Sequence, residues 1–347
     1  MLCALACSAL AGVTAAAACN KDPLQRSQRR AEPGAVAPGS QREPATSPRL
    51  DDAFVRVVTQ TDGAYAVARA EILRDPGARR YLERRRDHAA DWRERLAAET
   101  LLGWLDHEAE HDEAQAWVKD QSRRPNRTVL GRYTAVDLGK RVAKLGPVVT
   151  PHVLEMLLKT HEYDDDYEAG ILYSALERLR DGRAFEPISE LLSDRKQPDA
   201  MRSAAIGVLQ ALADARSIPA LRAILLDHSE SDELRKVAAG ALIALEVPDA
   251  RELFERLLFD AAISIELRRA MAMDLDELHD PRSVPALERA LPNADDQTLL
   301  ATLCSTLGAV GDESDLPSLR GALARATESA AREDCGDAIR RIEERPR

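Results

Sequence analysis

The chain has 347 residues, which exceeds one ordinary hydrophobic core, so two domains or one elongated repeat array are expected. Hydrophobic residues make up 45% of the chain, but aromatic residues make up only 4%. The apolar residues are mainly Ala and Leu, which favour helices over strands. The net charge of −11 argues against a nucleic-acid partner, because phosphates would repel an acidic surface. We therefore expect an all-α protein that binds other proteins.

Residues 1–19 have the features of a bacterial export signal. The run from Met1 to Ala18 is uncharged and rich in Ala and Leu, and a polar stretch follows Cys19 at once. The sequence Ala16-Ala17-Ala18-Cys19 resembles a lipobox, which implies cleavage before Cys19 and a diacylglyceryl group on its sulfur. Ala16 stands where Leu is usual, and no Lys or Arg precedes the apolar run. Cleavage without lipidation is the alternative. A lipidated Cys19 would hold the protein in the cell envelope, on the periplasmic or cell-surface side.

Residues 20–50 are expected to form a disordered tether. They contain five prolines among Gln, Ser and Arg, with almost no apolar periodicity. Six basic and three acidic residues make this segment basic, whereas the chain as a whole is acidic. Either an anionic membrane surface attracts the tether, or its arginines only keep it solvated.

Residues 51–146 are expected to contain an N-terminal cap and degenerate helical repeats, with a single capping helix over Asp51–Arg74. Within this region His107-Glu108-Ala109-Glu110-His111 fits the pattern H-E-x-x-H. On a helix this pattern places two imidazoles on one face for zinc, with Glu108 as general base. The charged Glu110 and the lack of a clear third ligand make His107 and His111 weak metal candidates. A zinc-dependent hydrolase is the alternative function, and a solvated acidic helix end is the ordinary interpretation.

An acidic segment with two tyrosines lies between two predicted helices of one repeat. Its carboxylates could hold calcium, but their spacing is not that of an EF-hand. A solvated loop that docks a basic partner is the simpler interpretation. The possible protein-binding residues are Tyr163, Asp164, Asp165, Asp166 and Tyr167.

From residue 147 to 347 one set of positions recurs every 31 to 35 residues, which indicates stacked helix pairs. Most units open with an Asp-x-Arg turn, followed by a proline in the first turn of the first helix. Proline lacks a backbone N–H, and at this position an N–H would have no intrahelical acceptor. Leucines recur in the first helix at Leu192, Leu225, Leu258, Leu291 and Leu323, and second-helix positions recur at Leu209, Leu242, Leu275, Leu307 and Ile339. Residues from Ile339 onwards are expected to form the C-terminal cap.

Each unit also carries a polar residue between its helices and, in most units, an arginine eight residues later. The pairs are Asp194 and Arg202, Asp227 and Arg235, and Asp260 and Arg268, and Arg332 continues the arginine series. A short acceptor followed by a guanidinium can form charge-assisted hydrogen bonds down the stack. We interpret these residues as structural.

This set of positions resembles the HEAT-repeat family, in the short form named after phycobilisome lyases. The resemblance covers about Pro147 to Ile342 and implies a right-handed α-α superhelix of about eight helix pairs. It also implies a concave face lined by second helices, which in such proteins usually binds other proteins or peptides. Some relatives attach or isomerise bilin pigments, but no added signature for that chemistry is present.

Only Cys304 and Cys335 lie in the folded part of the chain, at small-residue positions one repeat apart. We expect two buried thiols. A disulfide is the alternative, and it would require the Cα atoms of the two cysteines to lie close together.

The sequence thus predicts a non-enzymatic, lipid-anchored HEAT-repeat scaffold without a cofactor, whose partner is a protein or peptide and not a nucleic acid. An inert structural spacer is the remaining alternative.

Overall fold

The computed structural model describes residues 48–59, 63–120, 134–160 and 166–345, which form eighteen α-helices and no strand. None of these helices combines the length and the hydropathy needed to cross a bilayer. The helices are α1 (Pro48–Thr59), α2 (Gly63–Leu73), α3 (Ala78–Asp87), α4 (Trp92–Asp106), α5 (Glu108–Lys119), α6 (Ala135–Ala143), α7 (Thr150–Thr160), α8 (Asp166–Leu179), α9 (Phe185–Ser193), α10 (Asp199–Leu212), α11 (Ile218–Leu226), α12 (Asp232–Ala244), α13 (Ala250–Leu258), α14 (Ile265–Glu277), α15 (Val284–Ala290), α16 (Gln297–Val310), α17 (Leu316–Arg325) and α18 (Ser329–Glu343).

From α7 onwards the helices form six consecutive pairs in two layers. Each odd-numbered first helix packs on the even-numbered second helix that follows it. The second helices also stack on one another, in the order α6, α8, α10, α12, α14, α16 and α18. This arrangement confirms the all-α solenoid that the repeat predicts.

The recurring leucines form the continuous interior of the stack. One cluster of buried apolar side chains runs from Leu96 to Ile342. The predicted first-helix positions Leu192, Leu225, Leu258 and Leu291 are buried, and so are the second-helix positions Leu209, Leu242, Leu275, Leu307 and Ile339. Leu323, in the last pair, is only half-buried. Because each pair shares its apolar face with its neighbours, the array and not the pair is the folding unit.

Second helices end in a left-handed residue at the same place in four successive units. Arg180, Ala213, Glu246 and His279 have φ between 49° and 54° and follow one another every 33 residues. A residue in this conformation ends the helix. Glycine usually occupies such positions, because a Cβ is sterically disfavoured there.

The Asp-x-Arg turn follows this residue directly in three of the four units. Asp181, Asp214 and Asp280 each accept a hydrogen bond from the amide of the arginine two residues later, and each pairs with its guanidinium. The unit that opens at Asp249 departs from this pattern: Asp249 makes no side-chain cap, and Arg251 pairs instead with Glu255 at 2.6 Å.

The N-terminal region differs from the expected single capping helix. Asp51–Arg74 contains two helices, α1 and α2, which pack on each other and bury Phe54 and Ile72 in a second core with α3 and α4. Residues 60–62, between them, lie outside the described part of the chain. At the other end, Ile339 does not begin a separate cap but lies inside α18 and is buried.

The expectation of two buried thiols is wrong, because Cys304 and Cys335 form a disulfide. Their Cα atoms lie 4.9 Å apart, within the range that a disulfide spans. The physical reason is the close approach of α16 and α18. A Cβ on Gly308 would lie only 2.6 Å from the Cβ of Ala338, so the two backbones nearly touch.

Candidate functional site

The solvent-facing side of α8, α10, α12, α14, α16 and α18, here called the second-helix face, carries two open grooves. The first is an open groove of about 650 Å³ between α8, α10 and α12. Its lining consists of small residues flanked by charged ones: Glu177, Arg178, Arg180, Gly207, Gln210, Ala211, Ala213 and Ala244. Small side chains leave the backbone of these helices accessible to a bound chain.

One acidic side chain and two arginines line the first groove. The carboxylate of Glu177 lies over Gly207, where a Cβ would come within 2.7 Å of its Oε1 atom. Burial raises the pKa of Glu177, and the neighbouring Arg178 opposes this shift. The groove therefore combines a partly desolvated acid with two arginines, Arg178 and Arg180.

The second groove, of about 400 Å³, lies between α14, α16 and α18 and is acidic. Its lining residues are Met273, Asp274, Asp276, Glu277, Thr302, Ser305, Thr306 and Asp334. The Oδ2 atom of Asp274 is buried without a hydrogen-bond partner. Burial, and next to it the charge of Glu277, raises the pKa of Asp274 to about 7. A cation in this groove would favour the ionised form of Asp274, while the exposed Met273 offers an apolar contact.

The two histidines of the H-E-x-x-H segment lie in different surroundings. His107 precedes α5 as its N-cap residue, with φ −139° and ψ 44°, and its side chain is 42% exposed. His111 lies inside α5 and is fully buried against Gly103 and Trp104. The pattern brings two imidazoles together only when both residues are helical, and His107 is not. Across the described ranges, no three His, Cys, Asp or Glu side chains are grouped to hold a metal ion.

A buried polar cluster, which the sequence did not reveal, joins α2, α4, α5 and α7. Its centre is Glu155, which accepts a hydrogen bond from the hydroxyl of Tyr65 and contacts His152 Nδ1 and Lys159 Nζ at 3.3 Å each. Burial alone would raise the pKa of Glu155, but His152, Lys159 and Tyr65 outweigh it and lower the pKa to about 2. Glu155 is therefore ionised at neutral pH.

His111 and His152 extend this cluster as a stacked pair. Their ring centroids are 5.0 Å apart, and both rings lie about 5 Å from the Trp104 ring. Neither ring nitrogen of His111 has a hydrogen-bond partner. Burial, and next to it the neighbouring His152, lowers the pKa of His111 to about 4, and the nearby Val148 carbonyl opposes this shift. The lone pairs of the two imidazoles lie in ring planes that are only 26° apart and stacked, so they do not converge on one point and the pair is not arranged to share a metal ion.

Part of this cluster has a sequence signal. His152, Glu155 and Lys159 are spaced three and four residues apart, which places them on one face of α7. Tyr65 lies 90 residues away from Glu155 in the chain, and no local pattern relates the two.

The repeated arginines do not bond to the aspartates that precede them. Arg202 Nε donates to the backbone carbonyl of Leu192 at 3.0 Å, and Arg235 Nε donates to that of Leu225 at 2.9 Å. Arg332 makes the corresponding bond to Ala326, also at 2.9 Å. These arginines thus satisfy carbonyls near the end of the preceding helix, which have no intrahelical partner. Arg268 is the exception, because its Nε is buried without a partner.

The aspartates instead organise their own loops. Asp194, Asp227 and Asp260 each accept a hydrogen bond from the backbone amide two residues later. The predicted direct Asp–Arg bond is therefore wrong for Asp194 and Asp227, because each loop turns its carboxylate towards its own backbone. The guanidinium of Arg202 instead forms a buried, bidentate ion pair with Glu230 of the next unit.

Several predicted site residues lie outside the described part of the chain. These are Cys19, the tether as far as residue 47, and Tyr163, Asp164 and Asp165. Asp166 begins α8, and the ring of Tyr167 packs partly buried against the main core.

Comparison with known proteins agrees with the repeat geometry in the C-terminal part. Residues 252–340 match the family model described as HEAT repeats. No curated protein matches the chain in sequence. The X-ray structure of YibA from Escherichia coli is similar at 19% identity, with a TM-score of 0.38, over 82% of this chain and 98% of that one.

Proposed function

We propose that this protein is a non-enzymatic scaffold of the bacterial cell envelope that binds a protein or peptide along its second-helix face. The observation that carries this proposal is the pair of open grooves on that face, of about 650 and 400 Å³. A solenoid presents such a face over many units, so an extended partner can contact several second helices at once. HEAT repeats, which residues 252–340 match, form helical scaffolds of this kind.

The acidic groove indicates the chemistry of the partner. Asp274, Asp276, Glu277 and Asp334 line it together, and the chain as a whole carries a net charge of −11. A segment with Lys or Arg would pair with these carboxylates and remove the cost of holding them close together. The partner segment is therefore basic.

The disulfide supports the envelope location. Disulfides persist in oxidising compartments, whereas the bacterial cytoplasm keeps most thiols reduced. The Cys304–Cys335 bond is consistent with export directed by residues 1–19. Labelling cells with an alkyne-bearing fatty acid tests the lipid on Cys19. Label that is lost in Cys19→Ala is expected, and equal label on both proteins would refute lipidation.

Site-specific photocrosslinking in intact cells tests partner binding. A photoreactive residue at Ser305, in the acidic groove, is expected to capture a defined partner. The same residue at Ala223, which is exposed on the first-helix side in α11, is the matched control. Capture from Ala223 alone, or equal capture from both positions, would contradict the proposal.

A charge variant then tests the groove chemistry. Asp276→Asn, combined with Glu277→Gln, should reduce crosslinking from Ser305, because it removes two of the four groove carboxylates. Glu313→Gln with Glu344→Gln removes two exposed carboxylates elsewhere and should leave the crosslink unchanged. An unchanged crosslink in the groove variant would refute a basic partner.

A further inference from the structure

Helix α3 is a basic element in an acidic protein. Its ten residues include five arginines and two acidic residues, whereas in the whole chain acidic residues outnumber Lys and Arg by 59 to 48. Only Ala78, Tyr81 and Leu82 of this helix are buried, so its charged side chains reach the surface. The helix therefore creates a local positive potential on a chain whose overall charge is negative.

Two of the five arginines keep their charge unpaired. Arg79, Arg85 and Arg86 form ion pairs with carboxylates. Arg80, which is exposed, and Arg84, which is half-buried, form none within the described part of the chain. These two arginines are four residues apart, so they lie on the same side of α3. A ligand with several negative charges can contact both of them at once.

The unpaired arginines lie beside the first turn of α1. Asp51 of that turn accepts hydrogen bonds from the Tyr81 hydroxyl at 2.9 Å and from Arg85 Nη2 at 2.8 Å, which fixes α3 against α1. Arg49, in the same turn, is exposed and also lacks an ion pair within the described ranges. Arg49, Arg80 and Arg84 are here called the arginine face.

The position of this face matters because the chain enters its folded part at α1. This helix begins at Pro48, and 28 residues separate it from Cys19. A flexible segment of this length has a root-mean-square end-to-end distance of about 30 Å. A lipid on Cys19 would therefore hold the first turn of α1, and the arginines beside it, close to the lipid headgroups.

We propose that the arginine face docks on an anionic phospholipid bilayer and orients the solenoid on it. This inference rests on the envelope location proposed above. The negative charge of the chain as a whole is repelled by anionic headgroups, so the basic end approaches them. The acidic groove between α14, α16 and α18 belongs to the other end of the helix stack, so docking leaves it open to a partner.

Vesicle binding of residues 46–347 tests this docking without the lipid and without the basic segment before α1. These residues form one compact unit, and both hydrophobic cores consist of residues from Leu50 onwards, so the fragment contains the whole described fold. It should bind vesicles that contain phosphatidylglycerol, and it should not bind vesicles of phosphatidylcholine alone. Binding should weaken when salt is raised from about 0.1 M to about 1 M, which shortens the Debye length from about 10 Å to about 3 Å. Absence of binding to the anionic vesicles at millimolar lipid would overturn the proposal, whether or not Cys19 is lipidated.

A pair of charge variants tests the arginine face itself. Arg80→Gln combined with Arg84→Gln should weaken vesicle binding by about tenfold or more, because each arginine near an anionic surface contributes severalfold to the binding constant. Arg256→Gln combined with Arg341→Gln removes the same charge from exposed positions on α13 and α18 and should change binding less than about twofold. Equal effects of the two double variants would refute the assignment. Soluble polyglutamate that binds this face when vesicles do not would indicate an acidic protein partner, and would also overturn it.

A position-specific label keeps the test valid if the arginine variant fails to fold. Cys304 and Cys335 of the fragment are joined in the disulfide, so a single introduced cysteine can carry a fluorophore. A fluorophore at His88→Cys, directly after α3, should be quenched by lipids with a nitroxide on the headgroup, whereas one at Ala223→Cys on α11 should not. Quenching at Ala223→Cys alone, or equally at both positions, would refute docking through α3.

Discussion

Protonation of His111 should make the fold sensitive to acid. His111 is fully buried, and its pKa is lowered from 6.5 to about 4. The folded protein therefore binds fewer protons at this site than the unfolded chain between these two pH values, so stability decreases as the pH falls through this window. Between these two pKa values the lost stability amounts to about 3 kcal/mol. This is a large fraction of the free energy of unfolding of a typical protein.

The variant His111→Phe isolates this contribution, because phenylalanine can keep the ring packing against Trp104 and His152 without titrating. Denaturant unfolding is measured for both proteins at several pH values from 7 to 4. The stability of the wild type relative to the variant should fall by about 3 kcal/mol over this range, because the common contributions of other groups cancel. His107→Gln, at the exposed position, should show almost no such change. A difference between wild type and His111→Phe that does not vary with pH would refute this reasoning.

Three further predictions concern the repeats. Replacing both Cys304 and Cys335 by Ala should cost about 4 kcal/mol in denaturant unfolding, from the chain entropy of a loop of sequence separation 31, and equal stability of the two proteins would contradict it. Ala213→Gly should raise the thermal midpoint through a gain of roughly 0.5 kcal/mol, because it relieves a left-handed alanine, and Ala215→Gly should not. Leu242→Asp should cost more than about 4 kcal/mol and unfold neighbouring units, because an unpaired charge would enter the core. Unchanged helicity and melting by circular dichroism would count against the repeat register.

The repeat positions were predictable because each rests on local geometry. A leucine at a fixed place in a unit of about 33 residues meets the same environment in every unit, so its burial follows from the period. The Asp-x-Arg turns were predictable for the same reason, since their hydrogen bonds join residues two apart. The arginine series was recognised as a repeated feature, but its acceptor was not, because the carbonyl of Leu192 carries no sequence signal.

Contacts between distant segments were not predictable. The cluster around Glu155 depends on Tyr65, which reaches it only because α4 packs directly on α7 and carries the N-terminal core with it. The disulfide depends on how closely α16 approaches α18. Small residues such as Gly308 permit this close approach, but their presence in the sequence does not predict it. The H-E-x-x-H pattern shows the reverse case, in which a matching sequence lacks the helical geometry that its chemistry needs.

The amino-acid sequence alone determined that this protein is an all-α array of stacked helix pairs, and which leucines lie inside it. A repeated pattern reports a repeated environment, and burial in each pair follows from helical spacing. Only the tertiary structure decided which polar side chains meet in the interior, where the two grooves open, and that Cys304 reaches Cys335. These features depend on the distance between backbones that are far apart in the chain, and packing sets that distance.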